Sequence, residues 1–357
     1  MPTTVDYLNQ LEQDREDLVD NLETKGITGL TGDETFTELV PEVLNISSGG
    51  GNVAHPSYVS FEQYPGTTLD ISWLRIDNMT SLDSMFFMCN ALTGVDTSLF
   101  QTSHITSFAS MFANCTQFTS YNFNFDITNA TTLQSMFSNC SNMQTFTFGN
   151  NISTTKSVSL SDMFGYCSAL QTIDLSNFST PNANSLYQMF ANCSNLTSVN
   201  FGNNTYNKVT SVNGMFRNCT SLQSIVFPTM EAGLTQTQDL FSGCTGLVTA
   251  DLSKFKCSYS TNIRSMFSNC TALETIDLSN LELAGNYSVT ATEMFYNCTS
   301  LTRLDMRKYN FTRITNLTNM FTNVPANCLI IVADTTQKDW FTTKFPSLTN
   351  VKTVAEL

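Results

Sequence analysis

Basic side chains are scarce in this chain. Sixteen lysines and arginines and two histidines stand against thirty aspartates and glutamates in 357 residues, a formal net charge of −14. A nucleic-acid partner needs many phosphate-neutralising side chains, so that class of ligand is excluded. Only His55 and His104 could supply imidazole, and no C-x-x-C pair occurs, so no metal is expected. Runs of eighteen apolar residues are lacking too, which excludes a membrane-spanning helix. Nucleophile elbows, glycine-rich phosphate loops and histidine–carboxylate spacings are missing. The expectation is a non-enzymatic protein without cofactors.

What the chain has is a repeat. Met85-Phe86, Met111-Phe112, Met136-Phe137, Met163-Phe164, Met189-Phe190, Met215-Phe216, Leu240-Phe241, Met266-Phe267, Met294-Phe295 and Met320-Phe321 follow one another at intervals of 25 to 28 residues. A period of that length means a solenoid, whose units bury their apolar sides only by stacking. Within the copy Leu160 to Phe178, the residues Leu160, Met163, Phe164, Cys167 and Leu170 lie three and four apart. That spacing predicts one face of a short helix or helical turn. Ile173 and Leu175 then alternate as in a strand, and Phe178 returns to the interior. The expected fold is an α/β solenoid of about ten strand-plus-short-helix repeats, preceded by a small helical hairpin. The seventh copy lacks its methionine, and copies differ in length, so local irregularities are expected.

Nine of the eleven cysteines fall four residues after the Met-Phe methionine, from Cys89 to Cys298. Nine thiols in one apolar column read as small buried hydrophobes rather than disulfides. The asparagine before the cysteine (Asn114, Asn139, Asn192, Asn218, Asn269, Asn297, Asn323) is a second column, read as structural.

The phrase M-F-x-x-C-x-x-L-x-x-Φ-D-L-S-x-F resembles the BspA-type leucine-rich repeat of bacterial surface proteins. Cys167, Leu170, Ile173, Asp174, Leu175, Ser176 and Phe178 match it, as do Cys270, Leu273, Ile276, Asp277, Leu278 and Ser279. The resemblance covers roughly residues 53 to 357 and implies a curved solenoid that mediates adhesion, with its strands on the concave side.

Solenoid ends need covers. Leu69 to Leu74 reads as a lone strand phrase, covered by residues 53–68. Cys328 to Val332 reads as a buried last strand, and Thr336 to Phe345 as a helix with Trp340, Phe341 and Phe345 on its apolar side. The array with its front cap is thus placed at 53–328 and the rear cap at 329–357.

Residues 1–46 are of another kind. Leu8, Leu11, Arg15, Leu18 and Leu22 have heptad spacing, and Phe36, Leu39, Val40, Val43 and Leu44 form the apolar side of a second short helix. Eleven acidic residues face only Arg15 and Lys25, so this segment carries −9 of the net charge. Ser47 to Asn52 follows as a flexible linker. An acidic hairpin on a glycine hinge is an adaptor for a basic partner, with an ordinary helical cap as the alternative. Tyr7-Leu8-Asn9-Gln10-Leu11 and Leu39-Val40-Pro41-Glu42-Val43-Leu44 resemble N-terminal segments of structural proteins from phages of Gram-positive hosts. That resemblance implies docking on another virion protein, with Leu8, Leu11, Leu18, Leu22, Phe36 and Leu39 as anchoring residues.

The expected function is a phage virion adhesin, a tail-fibre or receptor-binding protein. Met1-Pro2-Thr3-Thr4 leads into an acidic amphipathic segment rather than a signal peptide. That points to release by lysis, and a homo-oligomer is compatible with a particle. A head decoration or a bacterial cell-surface adhesin are the alternatives. The expected ligand stripe on the strand face is Asp174, Asp251, Asp277, Asp305 and Arg303, facing a host surface protein or glycan. Aspartates 251, 277 and 305 on neighbouring strands would crowd like charges, relieved by hydration, by a cation such as calcium, or by a basic partner. Phe87, Tyr166 and Tyr296, if outward, could stack on sugars.

Overall fold

The computed structural model describes residues 58–357 except 73, 151, 231–232, 258, 280–287 and 310. The anchoring residues Leu8, Leu11, Leu18, Leu22, Phe36 and Leu39, the linker and Trp73 lie outside the described residues.

Each repeat is one rung of a parallel solenoid. Short strands follow the cysteine at fixed distance: Ser120–Phe123, Thr145–Phe148, Thr172–Asp174, Ser198–Asn200, Ser224–Val226, Thr249–Asp251, Thr275–Asp277 and Arg303–Asp305. They pair in parallel and in register, Thr172 with Ser198, Ser224 with Thr249, Arg303 with Thr275. A second edge of the rung is marked by single bridges that step up the array from Ser81 through Ser107, Thr132, Ser159 and Ser185 to Ser211.

The part expected to be a short helix or helical turn is a run of turns, without an α-helix. The inward residues are those the spacing predicted, with Leu160, Met163, Phe164, Cys167 and Leu170 all fully buried. The backbone between them, however, is a ribbon of overlapping turns. Alternate N–H groups close turns within the rung, as from Phe87 N to Ser84 O at 2.9 Å. The N–H groups between them cross to the next rung: Ser84 to Ala109, Phe86 to Met111, and Met88 to Ala113, at 2.8–2.9 Å. A helix would spend its donors on its own carbonyls. The ribbon spends half of them on the neighbouring repeat, which ties the rungs together and leaves those backbone groups satisfied.

That geometry requires two left-handed residues per rung. One precedes the methionine (Ser84, Ser110, Ser135) and the other precedes the cysteine (Asn114, Asn139, Asn192). A left-handed conformation costs an ordinary side chain about 1–2 kcal/mol, and asparagine tolerates it best. The asparagine column therefore has a backbone reason. It adds a side-chain ladder, with Asn139 Nδ2 donating to Asn114 Oδ1 and Asn218 Nδ2 to Asn192 Oδ1, both at 2.8 Å. Glycine takes the same backbone position at Gly243 (φ +78°), where a Cβ would collide with Asn218.

The core is a stack of columns. The phenylalanines of the Met-Phe pairs form an unbroken ladder from Phe86 to Phe321, with ring centroids 5.2–5.9 Å apart and planes within 20° of parallel. Leu240 replaces methionine in the seventh copy and is fully buried, so the ladder passes it without a break. At the front, Phe61 stacks on Phe86 at 5.5 Å and its N–H donates to Met85 O, so residues 58–64 imitate part of a rung. At the rear, Leu329–Val332 and Val351–Thr353 extend the sheet on either side of the helix Thr335–Lys344. Asp334 caps that helix by accepting from Gln337 N at 2.9 Å. Phe341 and Phe345 close over Phe321 edge-on, at 5.3 and 4.8 Å.

The left-handed position before the methionine is occupied in one rung by Asp162, half-buried, whose carboxyl burial pushes up to about 6 from an ordinary 3.8. A carboxyl raised in the folded state contributes stability that is present below about pH 4 and is lost as pH rises through 6. Asp162→Asn is expected to be more stable than the wild type by about 1 kcal/mol at neutral pH, after allowance for solvent screening. Below pH 4 the two should unfold at the same denaturant concentration. Equal unfolding midpoints at neutral pH would show that the carboxylate carries no penalty there.

Candidate functional site

The strand face presents its alternate side chains to solvent. In the strands Thr172–Asp174, Ser224–Val226, Thr249–Asp251 and Thr275–Asp277 the central residue is inward, and its two neighbours point out. The outward positions form two rows that climb the array. One row is hydroxyl-bearing: Thr172, Ser198, Ser224, Thr249 and Thr275, ending on Arg303. The other is Asp174, Asn200, Val226, Asp251 and Asp277, ending on Asp305.

Two contiguous depressions lie on this face. One, of about 420 Å³, runs from Ser224 to Arg303 and includes Asp251 and Asp277. The other, of about 470 Å³, runs from Ser198 past Val226 to Lys254. They share the strand Ser224–Val226, so together they make one open trough over five strands.

The carboxylates along it are held in place. Asp174 Oδ1 accepts from Ser176 N at 2.8 Å and from Asn200 Nδ2 at 3.1 Å. Asp251 accepts from Ser253 N at 2.9 Å and Asp277 from Ser279 N at 2.7 Å. These are Asx turns, in which the side chain takes up the backbone donor two residues on. Hydrogen bonds from the side chain and backbone of Ser176 hold the Asp174 carboxyl below the usual carboxylate range, and Ser253 does the same for Asp251. Both are ionised at neutral pH. A carboxylate can accept more bonds than its turn supplies, so Asp251 and Asp277 keep acceptor capacity toward the trough.

Asp305 departs from the expected stripe. It is 2% exposed and lies against Arg307, whose Nε donates to Oδ1 at 2.9 Å and whose Nη2 bonds Oδ2. Arg303 stands at 4.0 Å on the same carboxylate. The expected crowding of aspartates 251, 277 and 305 is thus relieved from within the chain, by arginines, at the end of the row where burial makes it most costly. No group of three or more His, Cys, Asp or Glu side chains that could hold a metal ion occurs among the described residues. Arg307→Ala leaves Asp305 buried beside only the distant Arg303. It should lower stability by about 2–3 kcal/mol, whereas Arg303→Ala should lower it by less than about 1 kcal/mol. Comparable losses in chemical denaturation would show that the close pairing does not set the cost.

The trough thus brings together Asp251, Asp277 and Arg303 of the expected residues. It leaves Asp174 one strand beyond the lining and removes Asp305. Sequence reasoning missed Val226, Lys254 and Arg307. Val226 was detectable, because an apolar residue, 61% exposed here, breaks an otherwise acidic or amide row. Tyr166 is exposed and takes the left-handed place of an asparagine, while Phe87 and Tyr296 are half-buried.

The repeats of the array carry the family match, which includes the part of the trough from Thr249 to Arg303. The family described as "Mycoplasma protein of unknown function, DUF285" matches residues 59–148 and 230–330, just over half of the chain. The chain belongs to this family. Between and across those segments, residues 110–248 of the DUF285 chain match six copies of the BspA type leucine rich repeat region. Its repeats are BspA-type leucine-rich repeats, and neither match is to an enzyme family. No curated protein matches the chain. Among solved structures, it is similar to a leucine rich cell surface protein from Faecalibacterium prausnitzii A2-165, at 19% identity over 56% of this chain and 76% of that one, with a TM-score of 0.21. It is also similar to a chain of a TLR13–ssRNA13 complex, at 17% identity over 71% of this chain and 45% of that one, with a TM-score of 0.19. Superpositions of that quality carry no argument about ligand or shape.

Proposed function

We propose that this protein is a non-enzymatic adhesin. The observation that carries the reading is the trough itself. It is an open surface on the strand face, with Asp251 and Asp277 fixed by their turns and no nucleophile–base pair among its lining residues. Such a surface is suited to docking a ligand and not to transforming one.

In this reading residues 1–46 mount the adhesin on a phage virion. The support is the charge division: eleven acidic residues in the first 46, separated from a nearly balanced array by a Ser-Gly stretch. Display on a bacterial cell surface is the second reading, favoured by the BspA-type repeats. No helix of the described residues is long and apolar enough to cross a membrane.

Gold-labelled antibody to residues 58–357, applied to a lysate of the source culture, separates the two. Label at a tail tip or baseplate supports the virion adhesin, and label over the head supports a decoration protein. Label on intact cells alone overturns the virion mounting and leaves the cell-surface adhesin. Loss of residues 1–46 should remove the protein from particles; retention would defeat the anchoring role.

A further inference from the structure

We propose that the trough binds an extended β-1,4-linked pyranose chain, neutral or amino-substituted, laid along the solenoid axis with about one ring per rung. The inference rests on the adhesin reading and names the ligand class of its site.

Period decides between the candidates. Neighbouring strands, and so successive rungs, are about 4.8 Å apart. An extended peptide laid across them advances about 3.3 Å per residue, or about 6.7 Å between side chains on one face. Neither step matches a rung, so a peptide falls out of phase within two or three strands. A β-1,4-linked pyranose chain advances by close to one strand spacing per ring, and it stays in phase over all four rungs from Asn200 to Asp277. Strand addition by a peptide needs an open sheet edge, whereas the trough lies on the strand faces and offers side chains.

The chemistry fits the same ligand. Sugar hydroxyls need fixed acceptors, and the Asp251 and Asp277 carboxylates are anchored one rung apart by their Asx turns. Asn200 adds an amide below them and Arg303 a donor above. Val226 interrupts the polar row with an exposed apolar side chain, a platform for the C–H face of one ring. Two carboxylates on the floor repel polyanions, so uronic-acid polymers are disfavoured.

The test is calorimetric titration of the full chain with cellohexaose and with the hexamer of β-1,4-linked N-acetylglucosamine. Maltohexaose serves as the shape control and polygalacturonate as the polyanion control. Binding of at least one β-linked hexamer is expected, with its dimer about tenfold weaker or worse. Val226→Arg and the pair Asp251→Ala/Asp277→Ala should each weaken it about tenfold or more, the loss expected for charge-assisted bonds. Val226→Arg should not move the thermal midpoint, since that side chain is exposed, whereas the aspartate pair loses two Asx-turn bonds and should lower it slightly, with binding read well below that midpoint. Equal binding of maltohexaose, or β-hexamer binding untouched by both variants, overturns the proposal. So does silence with every β-linked hexamer. If Val226→Arg then still abolishes attachment of labelled protein to cells of the source culture, the sugar class alone is wrong and the adhesin reading survives. If that variant attaches like the wild type, the trough is not the attachment site and both fail.

Discussion

Phe164→Ala should cost about 3–5 kcal/mol, the range for emptying a fully buried phenylalanine site. Its ring lies between those of Phe137 and Phe190, at 5.9 and 5.7 Å, and takes the edge of Phe146 at 4.7 Å. The backbone cannot close over the gap readily, because the rungs on both sides are tied to this one by bonds from Phe137 N to Met163 O and from Phe164 N to Met189 O. The loss should also divide the molecule. Stability in a stacked array is close to a sum of repeat and nearest-neighbour terms, so weakening one interface near the middle uncouples the halves. Guanidinium unfolding followed by circular dichroism should change from one transition to two. Tyr166→Ala, two residues away but outward, should stay within about 0.5 kcal/mol of the wild type. A Phe164→Ala loss below about 1 kcal/mol with a single transition would show that the ladder is not what couples the rungs.

The second large effect is chemical. None of the eleven cysteines is in a disulfide, and all are buried. Those of the repeat column are hydrogen-bond donors as well as space-fillers. Cys193 Sγ donates to Phe164 O at 3.1 Å, and Cys219 Sγ to Phe190 O at 3.1 Å, each reaching back one rung. The carbonyl that receives the thiol also receives the N–H of its own rung's cysteine, Cys167 N to Phe164 O at 3.1 Å. Burial pushes the Cys167 and Cys244 thiols up to about 12. A thiol that is inaccessible and protonated is not a nucleophile. Titration with an aromatic disulfide reagent should therefore find no reactive thiol in the native protein and eleven in concentrated guanidinium. On slow native labelling, Cys89 should react first, because the front rung frays before the interior. Immediate reaction of several thiols, with mass spectrometry placing the label at Cys167 or Cys193, would contradict the packed column. Substituting serine for cysteine in mid-column keeps a donor, whereas alanine removes it. Cys193→Ala should therefore lose about 1 kcal/mol from the bond in addition to the lost packing.

These predictions rest on columns, and columns are visible in a sequence. The interval between Met-Phe pairs, the cysteine four residues on and the leucine three beyond it determine which side chains share the interior, because residues in register must stack when each unit is too small to bury itself. The rear cap was equally legible in Trp340, Phe341 and Phe345. Leu240 shows the limit of worry over single departures, since leucine fills the methionine place without a gap.

Three matters were decided only by the tertiary structure. Spacings of three and four fit a helix and a ribbon of turns alike, because both place such residues on one side. The choice depends on where the N–H groups find acceptors, and here those acceptors belong to the next rung, which no single repeat contains. Cysteine could be read as a small hydrophobe, but its role as donor depends on a carbonyl of the preceding repeat. The aspartate row could be read as uniform, but Asp305 left it when the neighbouring Arg307 folded over it and the closing strand Leu329–Val332 buried it. Asp305 apart, the sequence by itself determined which residues face inward or outward, through period and polarity. Which acceptors the ribbon N–H groups and the thiols take was settled across rungs, by contacts between residues some twenty-five to thirty positions apart that stacking alone brings together.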